Sequence, residues 1–352
     1  MNKIEEKSMV RVAMVGCGGR AGVHAPVARR SGKVEIAVWY DVDHKKAEGL
    51  AVRYGGKAVK CWDDILSDDS IEGIVVALPH HLHHQFGAAA IKAGKHLMME
   101  IPIAASVEEA EDLIALAEKA EVEFLVVHSL RFWRSHQQVK AFIERGVIGE
   151  PFFARYHNEH YVPETYFGRQ KPHVDAGYLT VESGVLHHGD VLRWWMGEVR
   201  TITARGLMVE KTSRELSAFD HITVLYDFEN GRLGESTCSW VSRVCDQNYM
   251  VRGSVNGTKG TIVITWNDEV RLYSEANMLP EGERFLMLQD IGAPAITSDV
   301  AGLRGPDDEI AHFADCIRYK VPPLVSPRDA LRALQMALAS RVSARTLKPI
   351  TL

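Results

Sequence analysis

The sequence predicts an α/β chain in which a parallel-sheet domain is followed by a larger antiparallel α+β domain. Three observations carry this prediction. Residues 10–127 alternate short apolar runs with helix-patterned segments. A G-x-G-x-x-A turn directly follows the first of those runs. Beyond residue 128 the pattern becomes rich in β-type runs, with a strong hairpin signal at Glu229-Asn230-Gly231.

Val10 to Val15 is a short apolar run, interrupted only by Arg11, that ends in Gly16 and reads as a buried strand. A helix pattern follows, then the β-rich run Val34 to Tyr40. His44 to Tyr54 reads as a helix that stops at Gly55-Gly56. Ile71 to Leu78 is a third strand, broken by Pro79, and His84 to Ala93 is a helix closed by Gly94. His96 to Met99 is a short strand. Ser106 opens the next helix with Glu109 three residues on, the spacing of a capping box. Glu123 to Val127 ends the series. Strands separated by helices of this length imply right-handed crossovers and a parallel sheet. Lys140 to Arg145 reads as the end of a helix near Gly146. Phe219 to Phe228, Arg232 to Val241, Tyr249 to Gly253, Thr261 to Trp266 and Val270 to Tyr273 then read as strands. Two helices close the chain, the second opening at Ser326-Pro327-Arg328-Asp329. The domains are therefore expected at residues 1–128 and 129–352.

Composition narrows the function. The 352 residues are 46% hydrophobic and 25% charged, an ordinary globular balance. The net charge of −5 gives no general attraction to nucleic acid or anionic lipid. No apolar run approaches the ~20 residues a membrane helix needs, and the first ten residues hold no signal-peptide core. Five scattered cysteines without a CxxC pair fit reduced thiols. The expected location is the cytoplasm, with a small-molecule partner rather than nucleic acid or membrane.

The glycine turn carries a specific chemistry. Gly16 allows a tight turn, Gly18 lets the backbone approach a pyrophosphate, and Ala21 keeps the next helix close to the sheet. Gly19 and Arg20 complete the turn, whose helix N-terminus offers N–H groups to phosphates. Asp41 ends the second strand 23 residues after Gly18, where an acid accepts hydrogen bonds from ribose hydroxyls. Such an acid repels a 2′-phosphate, so NAD is expected over NADP, although Lys45 and Lys46 leave NADP open.

Several segments together resemble one known family. They are Gly16-Cys17-Gly18-Gly19-Arg20-Ala21-Gly22-Val23-His24, Ala77-Leu78-Pro79-His80-His81-Leu82-His83, Ala93-Gly94-Lys95-His96-Leu97-Met98-Met99-Glu100-Ile101-Pro102, Val185-Leu186-His187-His188-Gly189-Asp190 and Ser326-Pro327-Arg328-Asp329-Ala330. The chain resembles the glucose–fructose oxidoreductase / inositol dehydrogenase / rhizopine-catabolism (Gfo/Idh/MocA) family over nearly its whole length. The resemblance implies an N-terminal Rossmann domain, a C-terminal domain with an open, mostly antiparallel sheet, and a homodimer or homotetramer. It also implies cofactor contacts at Leu78, Pro79, His83 and Glu100. Two departures bear on mechanism. Ile101 stands where the family carries the lysine of E-K-P, and Ser183 stands where many members carry an aspartate four residues before the helix histidine. Of the usual proton-handling set His187 remains in register.

Histidine suits proton transfer near neutrality. Asp190, three residues on, shares a helix face with His187, and Glu182 is a candidate to replace the missing aspartate. Tyr161, Tyr166 and Tyr178 are further candidate acids or bases, each equally readable as packed aromatics. Ile101, Arg131, Trp133, Tyr178 and His188 are candidate substrate contacts. Arg131, Arg169 and Lys171 suit an anionic group, or surface salt links. The run His80-His81-Leu82-His83-His84 invites a metal reading. However, no second ligand cluster faces it, and His157 and His160 fall on opposite faces of a strand, so no metal is expected.

Three functions follow. The first is an NAD(P)-dependent oxidoreductase acting on a sugar, polyol or related hydroxylated or carbonyl compound, with His187 as acid/base. The second is an NAD-dependent glycosidase or lyase using transient sugar oxidation without net redox. The third is a catalytically silent NAD-binding regulatory protein.

Overall fold

Val10–Val15 (β1) is apolar at almost every position because layers on both sides bury it. In the computed structural model, which describes residues 9–163, 181–243, 249–264, 270–274, 286–287 and 309–352, the first elements alternate as the sequence predicts. After β1 come Gly19–Ser31 (α1), Val34–Tyr40 (β2), His44–Tyr54 (α2), Lys57–Val59 (β3), Asp63–Leu66 (α3) and Gly73–Val76 (β4). His83–Lys92 (α4), His96–Glu100 (β5), Val107–Ala120 (α5) and Phe124–Val127 (β6) complete the series. The short β3 and α3 are not apparent in the sequence pattern. The capping box forms: the Glu109 N–H donates to Ser106 Oγ at 3.2 Å.

All pairings in this sheet are parallel, in the order β3-β2-β1-β4-β5-β6. The order reverses between β1 and β4. A doubly wound sheet opens its ligand crevice at that switch point, outside the carboxyl ends of the strands.

The chain divides into two compact units, Met1–Phe132 with Arg304–Leu331 and Trp133–Leu303 with Arg332–Leu352. The expected boundary near 129 lies close to the first division. What the sequence pattern does not show is the return of Glu309–Tyr319 (α9) to the first unit, where Ile310, Phe313, Ala314 and Ile317 join the core of β1 and β2.

The second unit begins with Arg134–Glu144 (α6) and Pro151–His160 (β7), then Ser183–Met196 (α7), Val199–Leu207 (β8), Lys211–Glu215 (α8), His221–Phe228 (β9) and Leu233–Ser239 (β10). Tyr249–Gly257 (β11), Gly260–Ile264 (β12), Val270–Ser274 (β13), Leu286–Met287 (β14), Pro327–Thr346 (α10) and Ile350–Thr351 (β15) complete the described elements. The sheet runs β14-β13-β12-β11-β7-β10-β9-β8-β15. Its pairs are antiparallel except β7 with β10. The predicted hairpin is present, with β9 and β10 joined through Gly231 at φ 79°.

Helix α7 packs on β7 and β10. A glycine makes this approach possible. A Cβ on Gly184 would fall 2.4 Å from Cys238 Sγ of β10, so any larger residue there would lift the helix start off the sheet.

Candidate active site

In the first unit the glycine turn leaves β1 at Gly16, whose φ of +94° suits glycine alone. A Cβ at Gly16 would lie 2.3 Å from the Ala77 carbonyl oxygen and 3.1 Å from Leu78 Cδ2. This places Leu78 and the following Pro79 beside the turn at the switch point. Gly18 caps α1 without a side-chain hydrogen bond, and no acidic residue occupies the first turn. Nothing lies within 4 Å of the Cβ positions of Gly18 or Gly19. The turn therefore offers helix N–H groups and open space to a pyrophosphate. Asp41 follows β2 and is partly exposed. Its Oδ2 accepts the Cys17 N–H at 2.8 Å and its Oδ1 accepts the Asp43 N–H at 2.8 Å. Each carboxylate oxygen has two lone pairs, so the acid holds the turn and can still receive ribose hydroxyls. These residues fit a dinucleotide.

Glu100 and His83, expected as cofactor contacts, each bond protein groups. Both are buried. Oε1 of Glu100 receives His24 Nε2 at 2.6 Å and Arg20 Nε at 2.8 Å. Burial alone raises the Glu100 pKa, but the His24 hydrogen bond and the Arg20 charge outweigh it and hold the carboxyl at about 2. Glu309 of α9 approaches the same group, 3.6 Å from Arg20 Nη2 and 3.8 Å from His24 Nδ1. His83 places Nδ1 2.7 Å from the Pro102 oxygen and Nε2 2.8 Å from the Leu78 oxygen. Burial lowers its pKa despite the two carbonyls. It thus ties the loop after β4 to the loop after β5, where Ile101 precedes Pro102 through a cis peptide. His83 holds two backbone carbonyls near the crevice, and Glu100 Oε1 is directed at Arg20 and His24.

The histidine run does not gather into one site. His84 Nε2 bonds Asp112 Oδ2 at 2.7 Å on α5, while His80 is buried. Arg131 is also engaged within its own unit. Its guanidinium reaches Asp329 at 3.4 Å and the Leu324 oxygen at 3.3 Å, and the side chain is 4% exposed. This geometry commits the charge to the protein and does not support the expected anion contact.

In the second unit, helix α7 presents Ser183, Gly184 and His187 along one face to a cavity of about 430 Å³. The far walls are Asn158 and His160 at the end of β7, Tyr161 just beyond it, and Trp240 after β10. Ser183 and His187 are one helical turn apart. Tyr161 is placed by a bridge to Val241 and by Arg243, whose guanidinium lies 4.2 Å from the ring centroid.

The other residues named from sequence lie apart from this cavity. His188 points to the sheet, 1% exposed, with its ring 4.8 Å from that of Tyr156. Burial drives its pKa well below that of an ordinary histidine. Substrate contact by His188 is thus not what the placement supports. Trp133 stands edge-on to His136 at 5.4 Å. Asp190 is fully buried. Glu182 is buried and meets Arg341 of α10 at 3.0 Å, so its carboxylate is directed at that guanidinium. Tyr166, Arg169, Lys171 and Tyr178 lie outside the described residues. Sequence reasoning missed Asn158 and Trp240 as cavity walls, His24 as a partner of Glu100, and Glu309 as a second carboxylate beside Arg20 and His24. The i, i+2 spacing of Asn158 and His160 was the available signal for the first pair.

Comparison with known proteins decides the family. The profile of an oxidoreductase family with an NAD-binding Rossmann fold matches residues 10–128. The profile of the same family's C-terminal alpha/beta domain matches residues 140–352. The chain belongs to the Gfo/Idh/MocA oxidoreductase family. Among its relatives, the scyllo-inositol 2-dehydrogenase (NAD(+)) of Bacillus subtilis (strain 168) is 23% identical over 97% of this chain and 96% of that protein. The inositol 2-dehydrogenase of Rubrobacter xylanophilus is 26% identical over 74% of this chain and 72% of that protein. Among solved structures, GenD2 from gentamicin A biosynthesis, in complex with NAD, shares the fold at a TM-score of 0.80. It has 22% identity, covering 98% of this chain and 97% of that one. This Gfo/Idh/MocA chain is therefore an NAD(P)-dependent oxidoreductase with an NAD-binding first domain. No helix among the described residues is long and apolar enough to cross a membrane.

Proposed function

We propose that this oxidoreductase moves a hydride between NAD and a sugar, polyol or related small hydroxylated or carbonyl compound, with His187 handling the accompanying proton. The observation that carries the reading is the placement of His187 on the wall of a cavity of about 430 Å³, within the range of small-molecule sites. The inositol dehydrogenases among its relatives support the substrate class.

Bound NAD supplies the hydride acceptor or donor. The glycine turn would hold the pyrophosphate and Asp41 the ribose, an arrangement that would favour NAD over NADP. Oxidising a carbinol also releases a proton, and Ile101 has no group to receive it. His187 Nδ1 is buried, so Nε2 takes the proton from the reacting hydroxyl and returns it in the reverse direction. Ser183, one turn earlier, offers a hydroxyl to the same ligand. Tyr161 and Trp240 supply ring faces that exclude water around it. A cytoplasmic homodimer or homotetramer completes the proposal, supported by the modest net charge and by the family resemblance.

The test is to analyse nucleotide bound to the purified protein and to follow NADH absorbance with inositols, monosaccharides and glycosides. Accumulating NADH with turnover is expected. Sugar product without net NADH would replace this reading by an elimination, and tight nucleotide without turnover would replace it by a silent NAD-binding protein.

A further inference from the structure

Behind the glycine turn four ionisable side chains form a quartet in which basic and acidic groups alternate. Arg20 and His24 lie one turn apart on the same face of α1. Glu100 ends β5, and Glu309 opens α9. Each basic side chain faces both acids. Arg20 reaches Glu100 through Nε at 2.8 Å and Glu309 through Nη2 at 3.6 Å. His24 reaches Glu100 through Nε2 at 2.6 Å and faces Glu309 through Nδ1 at 3.8 Å. His24 and Glu309 are fully buried, whereas Arg20 keeps 42% of its side chain exposed near the opening of α1. Beyond the quartet, His83 of α4 also feels the Glu100 charge. Other elements packed on α1 or α9, β1, β2 and α2 among them, contribute apolar side chains such as Val12, Ile36 and Ala47 to the shared core.

This arrangement calls for a proton. Burial opposes the Glu100 charge, but His24 and Arg20 outweigh it and hold the carboxyl at about 2. An ionised carboxylate only accepts, so His24 Nε2 carries a hydrogen. A neutral imidazole of that form would turn its Nδ1 lone pair toward the Glu309 carboxylate, in surroundings where water cannot screen the repulsion. One further proton, on Nδ1 or on Glu309, removes the repulsion, and the two groups share it as a coupled pair. With that proton the quartet is electrically neutral. Without it, one guanidinium stands against two carboxylates. Burial works against the Arg20 charge, yet Glu100 and Glu309 raise its pKa, so Arg20 is a cation in both states.

We propose that His24 and Glu309 are positioning residues for the dinucleotide: the proton they share frees Arg20 to serve the pyrophosphate, so NAD binds together with that proton. The inference rests on the glycine turn as the nucleotide site. In the unprotonated quartet two carboxylates compete with the pyrophosphate for one guanidinium, and their excess charge opposes it directly. NAD affinity therefore falls as pH rises through the titration of the pair.

The experiment is calorimetric titration of the full-length protein with NAD between pH 6 and pH 9, in buffers of different ionisation enthalpy. It compares the wild type with Glu309→Gln, His24→Gln and the double variant, each first checked for a cooperative thermal transition. Wild-type affinity is expected to fall about tenfold across this range, with proton uptake on binding. Glu309→Gln leaves one carboxylate for Arg20 and is expected to bind at the strong, pH 6 level throughout. His24→Gln leaves two carboxylates facing Arg20 alone and is expected to bind at the weak, pH 9 level throughout. The double variant is expected to return to the strong level, a recovery that lost packing at His24 would not give. Wild-type affinity constant within twofold from pH 6 to pH 9, or a double variant no stronger than His24→Gln, overturns the proposal and leaves the turn as the nucleotide site. If the wild type binds no NAD at any pH, the nucleotide site itself falls and this proposal falls with it.

Discussion

Nε of Arg341 lies 3.0 Å from Oε1 of Glu182, and the two side chains are 19% and 3% exposed. Glu182 immediately precedes the helix that carries Ser183 and His187. The closing helix α10 thereby pins the start of α7 through a largely enclosed charge pair. Removing one partner leaves the other buried and uncompensated, which costs far more than the pair itself contributes. Arg341→Met is expected to lower stability by about 2–4 kcal/mol, at or just below the range for fully buried pairs because Arg341 keeps some solvent contact. Urea unfolding of Arg341→Met and of the double variant Glu182→Gln/Arg341→Met measures it. The double variant should recover part of the loss, and a double variant as unstable as Arg341→Met would mean that the stranded Glu182 carboxylate is not what costs the stability.

Asp41 has two tasks, holding the Cys17 N–H at 2.8 Å and, in the proposed function, receiving the ribose hydroxyls. Asp41→Ala is expected to weaken NAD binding at least tenfold and to narrow the preference for NAD over NADP. Calorimetric titration with both nucleotides checks this. Unchanged NAD affinity would mean that the end of β2 does not face the ribose.

Glu100 links acid stability to the first domain. Its carboxyl stands at about 2 in the folded protein against 4.5 for an ordinary glutamate. The folded state therefore holds the proton less tightly than the unfolded chain. The resulting stabilisation is fully present above pH 4.5 and is lost as pH falls towards 2. At about 1.4 kcal/mol per pKa unit it amounts to roughly 3 kcal/mol. Unfolding free energies of the wild type and Glu100→Gln at pH 7 and pH 3 should differ most at pH 7. A gap that is constant with pH would remove the carboxylate's linkage from the account.

The first sheet was legible in the sequence because its signals are local. Val10–Val15 is apolar except at Arg11, Gly16 follows it, and Ser106 and Glu109 stand three apart, each readable within a few residues. What escaped depends on residues far apart in the chain. His24 meets Glu309 across 285 positions, and Arg131 meets Asp329 across 198, so no periodicity announces either. Arg131 in particular looks like a ligand contact until its carboxylate partner is seen. The cavity was half legible. Helical spacing put Ser183 one turn before His187, whereas His188, expected as a substrate contact, packs against Tyr156 instead. Asn158 and Trp240 required the strand pairing that brings the ends of β7 and β10 together. Gly184 reads as an ordinary helix glycine until Cys238 is found against it.

The central claim is that His187 handles the proton in the proposed hydride transfer. It is tested most directly by His187→Ala, assayed for NADH formation on a polyol that the wild type turns over and, in parallel, for NAD binding by calorimetry. The account predicts that turnover falls at least a hundredfold, the lower end of what a positioned acid or base contributes, while NAD affinity stays within twofold of wild type. Turnover within threefold of wild type would contradict it and return the proton step to another residue.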